Sequence, residues 1–142
     1  MSIAIACDHA GFELKAKIIE YLQNKGYQVN DLGSFTNQAV DYPEYGHKLA
    51  LHLAGKKSEY GISLCGSGNG INMTANKHPL IRSALCWNEE IAELARRHNN
   101  ANICALPARF ISFEQAARIV DTFLNAPFDG GRHQRRIDHI PI

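Results

Sequence analysis

A cysteine stands directly before a run of alternating glycines, Cys65-Gly66-Ser67-Gly68-Asn69-Gly70. Alternate glycines permit positive φ and let backbone amides come close to a ligand. Amides that precede a helix start favour an anion. A cysteine in that setting can serve, as its thiolate, as a nucleophile or a proton acceptor. The bland alternatives are a plain glycine-rich turn and a small buried core thiol. Spacing rules out two familiar phosphate loops: a dinucleotide loop needs Gly-x-Gly-x-x-Gly after a first strand, and a Walker loop needs Gly-Lys-Ser/Thr. A tyrosine-phosphatase-like loop would place arginine six residues after the cysteine, where Ile71 stands.

A second concentration of chemistry lies near the C-terminus, where Arg132, Arg135 and Arg136 accompany His133. Arginine presents a fixed fork that matches phosphate oxygens. Arg132 and Arg136 are four residues apart and share a face if the tail is helical; Arg135 then points elsewhere. The alternative is a solvated charge run. His47, His52, His78 and His139 lack a supporting motif and read as surface or packing residues. No His-Glu-x-x-His or cysteine–histidine metal spacing occurs, so no metal site is expected. A thiol, an amide loop, histidines and arginines together fit a small phosphorylated substrate that reacts through an anionic intermediate. Enediolate chemistry needs those parts: a base for a proton on carbon next to a carbonyl, and donors for the developing oxyanion.

These groups must be positioned by short apolar runs that alternate with amphipathic stretches. Strands are expected at Ile3–Cys7, Tyr27–Leu32, Gly61–Cys65, Arg82–Trp87 and Asn102–Leu106. Helices are expected from Gly11 to Lys25, stopped by Gly26, and from Pro43 to about Leu53. Further helices run from the glycine loop to about Lys77, from an Asn88 cap to near His98, and from the capping-box pattern Ser112-Phe113-Glu114-Gln115. The last of these carries Ala116, Ile119, Val120 and Phe123 inward. This alternation implies one α/β domain over residues 1–142, a three-layer α/β/α Rossmann-like fold on a five-stranded parallel sheet. Residues 127–142 form a tail that contributes to the site or to a dimer.

Composition sets the class. With 142 residues, 45% of them hydrophobic and 20% charged, the chain is an ordinary globular domain rather than a disordered one. A net charge of +1 argues against a protein that coats nucleic acid. No apolar run approaches a membrane span, and the N-terminus lacks a signal-peptide pattern. A cytoplasmic protein with free thiols at Cys7, Cys65, Cys86 and Cys104 is expected.

Ligands in open parallel sheets bind outside the carboxyl ends of the strands. That rule gathers Asp8 and His9 after the first strand, Cys65 and its loop after the third, and Arg109 past the fifth. His98 and Asn99 fall at the opposite, helix-to-strand end. To join the site they must come from another subunit or from an irregular connection.

Five segments resemble, in order, the motifs of the type B ribose-5-phosphate isomerase family: Asp8-His9-Ala10-Gly11, Asp41-Tyr42-Pro43, Cys65 to Gly70, Arg97-His98-Asn99, and Gly130-Gly131-Arg132-His133-Gln134. The resemblance covers essentially the whole chain. It implies an aldose–ketose isomerase of the pentose phosphate pathway, interconverting ribose 5-phosphate and ribulose 5-phosphate through an enediolate. By the same resemblance, Cys65 moves the proton, while Ser67 and the amides of Gly66, Ser67, Gly68, Asn69 and Gly70 hold the enediolate oxygens. His98 opens the furanose ring with Asp8 nearby, Asn99 holds the sugar chain, and His9, Arg109, Arg132 and Arg136 bind the phosphate. Some members use a glutamate shortly after the loop. Ile71 to Asn76 here contain no carboxylate, which favours the cysteine form. The resemblance also implies a dimer or tetramer with a site shared between subunits, and no cofactor or metal. The competing readings are a six-carbon isomerase for allose 6-phosphate or galactose 6-phosphate, a Cys65–His98 hydrolase, and a non-catalytic sugar-phosphate sensor.

Overall fold

The computed structural model describes residues 1–142. Its five strands are β1 (Ser2–Cys7), β2 (Gln28–Asp31), β3 (Tyr60–Cys65), β4 (Ser83–Leu85) and β5 (Ile103–Pro107). Six helices connect or follow them: α1 (Phe12–Asn24), α2 (Tyr42–Ala54), α3 (Asn69–Ala75), α4 (Glu89–Arg97), α5 (Phe113–Asn125) and α6 (Arg132–Ile137). All strand pairs are parallel, in the order β2-β1-β3-β5-β4. The expected α/β architecture is therefore the one observed.

Right-handed crossovers decide which helix covers which face. The steps from β1 to β2 and from β4 to β5 run one way along the sheet, so α1 and α4 share a face. The steps from β2 to β3 and from β3 to β4 run the other way, so α2 and α3 share the opposite face. Two core clusters follow. Ile18, Leu22, Ile119 and Phe123 pack with Ile3, Ile5, Ile62 and Leu64 on one side. Leu49, Leu53 and Ala75 pack with Ala4, Ala6 and Ile103 on the other. Alternate residues of β1 thus feed opposite cores, as the pleat requires.

Local signals define several boundaries. Asn88 caps α4 by accepting from the Ile91 amide at 2.8 Å. Ser112 and Gln115 close the capping box of α5 at 3.1 and 2.8 Å. Gly26, at φ +91, follows the last residues of α1.

Several boundaries differ from expectation, most clearly at α3, β4 and β2. α3 stops at Ala75 rather than Lys77, because the Asn76 side chain exchanges two 2.8 Å bonds with the backbone of Ser83. β4 spans Ser83–Leu85 rather than Arg82–Trp87: the Arg82 amide is taken by Asn102 Oδ1 at 2.9 Å, and Trp87 is half exposed before the Asn88 cap. Cys86 consequently sits just beyond β4 instead of within it. β2, on the other edge, is shortened to Gln28–Asp31. There Asp31 turns to pair with the buried Lys15 ammonium at 2.5 Å, which also donates to the Ser34 carbonyl at 2.9 Å.

Candidate active site

The chain leaves β1 and β3 toward opposite faces of the sheet, which opens a crevice at their carboxyl ends. Asp8 and Cys65 flank it. Asp8 is almost fully buried and caps the following turn by accepting from the Ala10 amide at 2.9 Å. His9 Nδ1 accepts from the Val40 amide at 3.2 Å, which ties the polar connection before α2 to this rim.

Cys65 is 4% exposed at the last position of β3, beside Pro107 of β5. Its carbonyl accepts from Ala108 and the Gly66 carbonyl accepts from Arg109, both at 3.0 Å, so the loops after β3 and β5 are stitched together. The backbone N–H groups of Gly66, Ser67 and Gly68 donate to nothing within the chain. Ser67 Oγ accepts from the Asn69 side chain at 3.1 Å, and both residues are exposed. Arg109 lies against the loop: a Cβ on Gly66 would sit 3.3 Å from its Nη1. Gly68 is required twice over. Its φ is +79, and a Cβ there would approach Leu85 Cδ1 to 2.5 Å. At Gly70 a Cβ would collide with the Tyr42 ring, which lies directly on the loop. The arrangement offers a thiol followed by three unengaged amides, which suits proton transfer beside an oxyanion.

The structure brings Asp8, His9, Cys65, the glycine loop and Arg109 to one rim. It does not bring the remaining predicted residues there. His98 ends α4, and Asn99 follows it at the N-terminal edge of the sheet, just before β5. The tail is helical, as the spacing of Arg132 and Arg136 required for a shared face, and it docks at that same far edge. Its anchor is Arg97, whose Nε reaches the Asp129 carboxylate at 3.2 and 3.3 Å. Arg132, Arg135 and Arg136 are exposed, and none forms an ion pair.

His133 is the residue whose importance spacing alone understates. Its ring stacks on that of His98, 4.2 Å between centroids and 9° from parallel. Burial lowers its pKa below the usual imidazole value, and the nearby His98 and Arg132 lower it further. Asp129 stands beside the pair; ligand atoms of His98, Asp129 and His133 lie within 4.8 Å of one another, while the carboxylate serves Arg97. The Gly-Gly-Arg-His run was the available signal, but nothing in the sequence aligns it with His98.

The other cysteines behave as core residues. All four thiols are free and buried. Burial raises the pKa of Cys7, partly offset by Lys15. Cys104 is raised well above the ordinary thiol range by its hydrogen bond with Cys86 and by burial. His47 and His78 bond to each other at 2.8 Å, and His52 bonds to Ser58 at 2.9 Å, so those histidines do serve packing and surface roles.

A thiol before an open amide loop, with Arg109 on the same rim and the tail arginines at the far edge of a parallel sheet, suits a sugar-phosphate isomerase. Residues 3–140 match the family described as Ribose/Galactose Isomerase, and the chain belongs to that family. It is 42% identical over 138 residues to ribose-5-phosphate isomerase B of Escherichia coli, covering 97% of this chain and 93% of that one. A crystal structure of a ribose 5-phosphate isomerase from Thermotoga maritima superposes with a TM-score of 0.95 at 52% identity, covering 96% of this chain and 94% of that one. The ribose-5-phosphate isomerase B of Mycoplasma genitalium, with bound ribulose-5-phosphate, superposes at 0.93 with 44% identity and coverage of 98% and 93%. No helix here is long and apolar enough to cross a membrane.

Proposed function

We propose that this chain interconverts ribose 5-phosphate and ribulose 5-phosphate through an enediolate, with Cys65 as the base. The observation that carries the reading is the row of unengaged amides at Gly66, Ser67 and Gly68 immediately after Cys65. In the aldose-to-ketose direction the Cys65 thiolate removes the C2 proton. The C–H electron pair becomes the enediolate, whose oxygens accept from those amides and from Ser67. The same proton, or one exchanged with solvent, is then delivered to C1 while the hydroxyl proton passes from O2 to O1, which leaves the C2 carbonyl of the ketose and regenerates the thiolate. Asn69 and Gly70 complete the loop wall. No metal or cofactor enters this scheme.

Ring opening and phosphate binding need groups that one chain holds on its far edge. In this reading a second copy supplies His98 as the acid at the furanose oxygen, near Asp8, and Asn99 for the sugar chain. It also supplies Arg132 and Arg136, which complete a phosphate site with His9 and Arg109. The functional unit is then a homodimer or a tetramer built from such dimers. A hydrolase using Cys65 and His98 of one chain loses support, because the two residues lie at opposite ends of the sheet.

The named relatives are five-carbon enzymes, which supports ribose 5-phosphate over the six-carbon sugars. Parallel kcat/KM measurements on ribose 5-phosphate, allose 6-phosphate and galactose 6-phosphate test this. The expected preference for the pentose is at least about tenfold, the value of roughly one misfitted methylene-sized group. Equal or reversed values reject the pentose assignment.

A further inference from the structure

The turn that carries His98 and Asn99 is held from outside by an arginine that belongs to a different element. Arg82 stands where the chain enters β4, partly buried at the same edge of the sheet. Its guanidinium forms no ion pair. Instead Nε donates to the Asn99 carbonyl at 2.9 Å and to the Asn100 carbonyl at 3.2 Å, while Nη2 donates to the Asn100 carbonyl at 3.0 Å. The Asn102 side chain fixes the root of the arm by accepting from the Arg82 amide at 2.9 Å.

A second guanidinium grips the turn from inside. Arg96 is 6% exposed and lies over the Tyr60 ring, 4.7 Å from its centroid. Its Nη1 donates to Asn100 Oδ1 at 3.0 Å and to the Ala101 carbonyl at 2.6 Å. Between the two arginines Asn100 adopts φ +47, the left-handed region that L-residues rarely enter. Convergence of two cations without a carboxylate is electrostatically unfavourable, and burial with Arg82 nearby holds Arg96 below the ordinary guanidinium pKa. A turn that only had to close would not need that convergence. A turn that must present two side chains in a fixed direction does.

We propose that Arg82 is a positioning residue for the isomerisation: its fork fixes the carbonyls of Asn99 and Asn100 and so aims the His98 ring and the Asn99 side chain at the substrate. The inference rests on the roles given to His98 and Asn99 above. Lysine replaces the fork only in part, because its ammonium lacks the fixed planar pair of donors that holds two carbonyls in one geometry.

The test is Arg82→Ala and Arg82→Lys in the full-length protein, with circular dichroism as the check on folding. Arg82→Ala is expected to stay folded and to lose roughly 10²-fold in kcat, the scale of a misplaced catalytic group, with a smaller change in KM. Arg82→Lys should recover only part of that loss. Arg82 borders a cleft of about 640 Å³ lined also by Arg96, Asn100 and Asn102, so a free guanidinium ion can enter. Millimolar guanidinium chloride should therefore restore kcat of Arg82→Ala saturably, whereas equal urea or sodium chloride should not. A structural role alone predicts the opposite, since guanidinium further destabilises a weakened fold. A kcat within about threefold of wild type overturns the proposal, as does a loss that guanidinium does not recover. If the wild-type protein itself fails to isomerise ribose 5-phosphate, the functional reading fails instead.

Discussion

The two ends of the sheet are built by different rules. At the carboxyl rim, Asp8, Cys65 and Arg109 stand at or just past the ends of their strands, which are fixed by register: Cys65 beside Pro107, Cys7 beside Leu64. At the amino edge, His98, Asn99 and the arginines of α6 are placed by helix ends, side-chain clamps and a docked tail. The first rim is rigid because backbone ladders define it. The second depends on side-chain contacts. In the proposed function one rim holds the thiol, the oxyanion amides, His9 and Arg109, and the other holds the acid and the phosphate ligands Arg132 and Arg136. Under the proposed function, neither is a complete site.

The largest expected effect tests that division. Cys65→Ala and His98→Asn should each lose about 10²- to 10⁴-fold in kcat, the range for a general base or acid. Mixed after co-refolding, they should regain activity. Half of randomly paired dimers are hybrids, and each hybrid has one site with both groups intact, so recovery should approach about a quarter of wild type. Recovery measures whether the two rims meet across subunits. A mixture as inactive as its components would place His98 and Cys65 in one chain's site.

The same division explains what was legible in the sequence. Sheet, layers and the carboxyl rim follow from periodicity and from the rule that loops after parallel strands bind ligands. Caps are local, so Asn88 and Ser112 announced themselves. The amino edge was not legible from pattern, because its determinants join residues distant in sequence. Asn76 ends α3 by pairing with Ser83, Arg97 holds Asp129 of the tail, and His133 stacks on His98. None leaves a periodic trace. Membership of His98 and Asn99 in the candidate site came from family resemblance, and topology supplied only the observation that they stood at the wrong end.

A smaller effect sharpens the contrast within substrate binding. Arg132 and Arg136 are exposed and free of carboxylate partners, so neither stabilises the single chain through an ion pair. Arg132→Ala or Arg136→Ala should therefore leave the melting temperature nearly unchanged. Each should raise KM by roughly 10- to 100-fold, the value of one charge-assisted hydrogen bond to phosphate, and change kcat less. Arg135, on a different face of the short helix, is the internal control: Arg135→Ala should move neither constant. Unchanged KM in both of the first two variants would reduce the tail to a charged terminus.

The smallest effect concerns the stacked histidines that brace the amino edge. Burial, then His98 and Arg132, push the His133 pKa below the usual 6.5, against a weaker opposing pull from Asp129. The folded state then binds its proton less readily than the unfolded chain does. Stability from this group is complete above about pH 6.5 and declines as the pH falls toward the lowered folded-state value. His133→Phe keeps a ring against His98 and removes the titrating nitrogen. Melting temperatures taken at about pH 7.5 and about pH 5.5 should fall less with acid in His133→Phe than in wild type, by on the order of 1–2 °C. An identical slope would mean that the stack holds α6 to α4 without sensing charge. The Arg97–Asp129 pair would then be the sole electrostatic fastener of the amino edge to the tail.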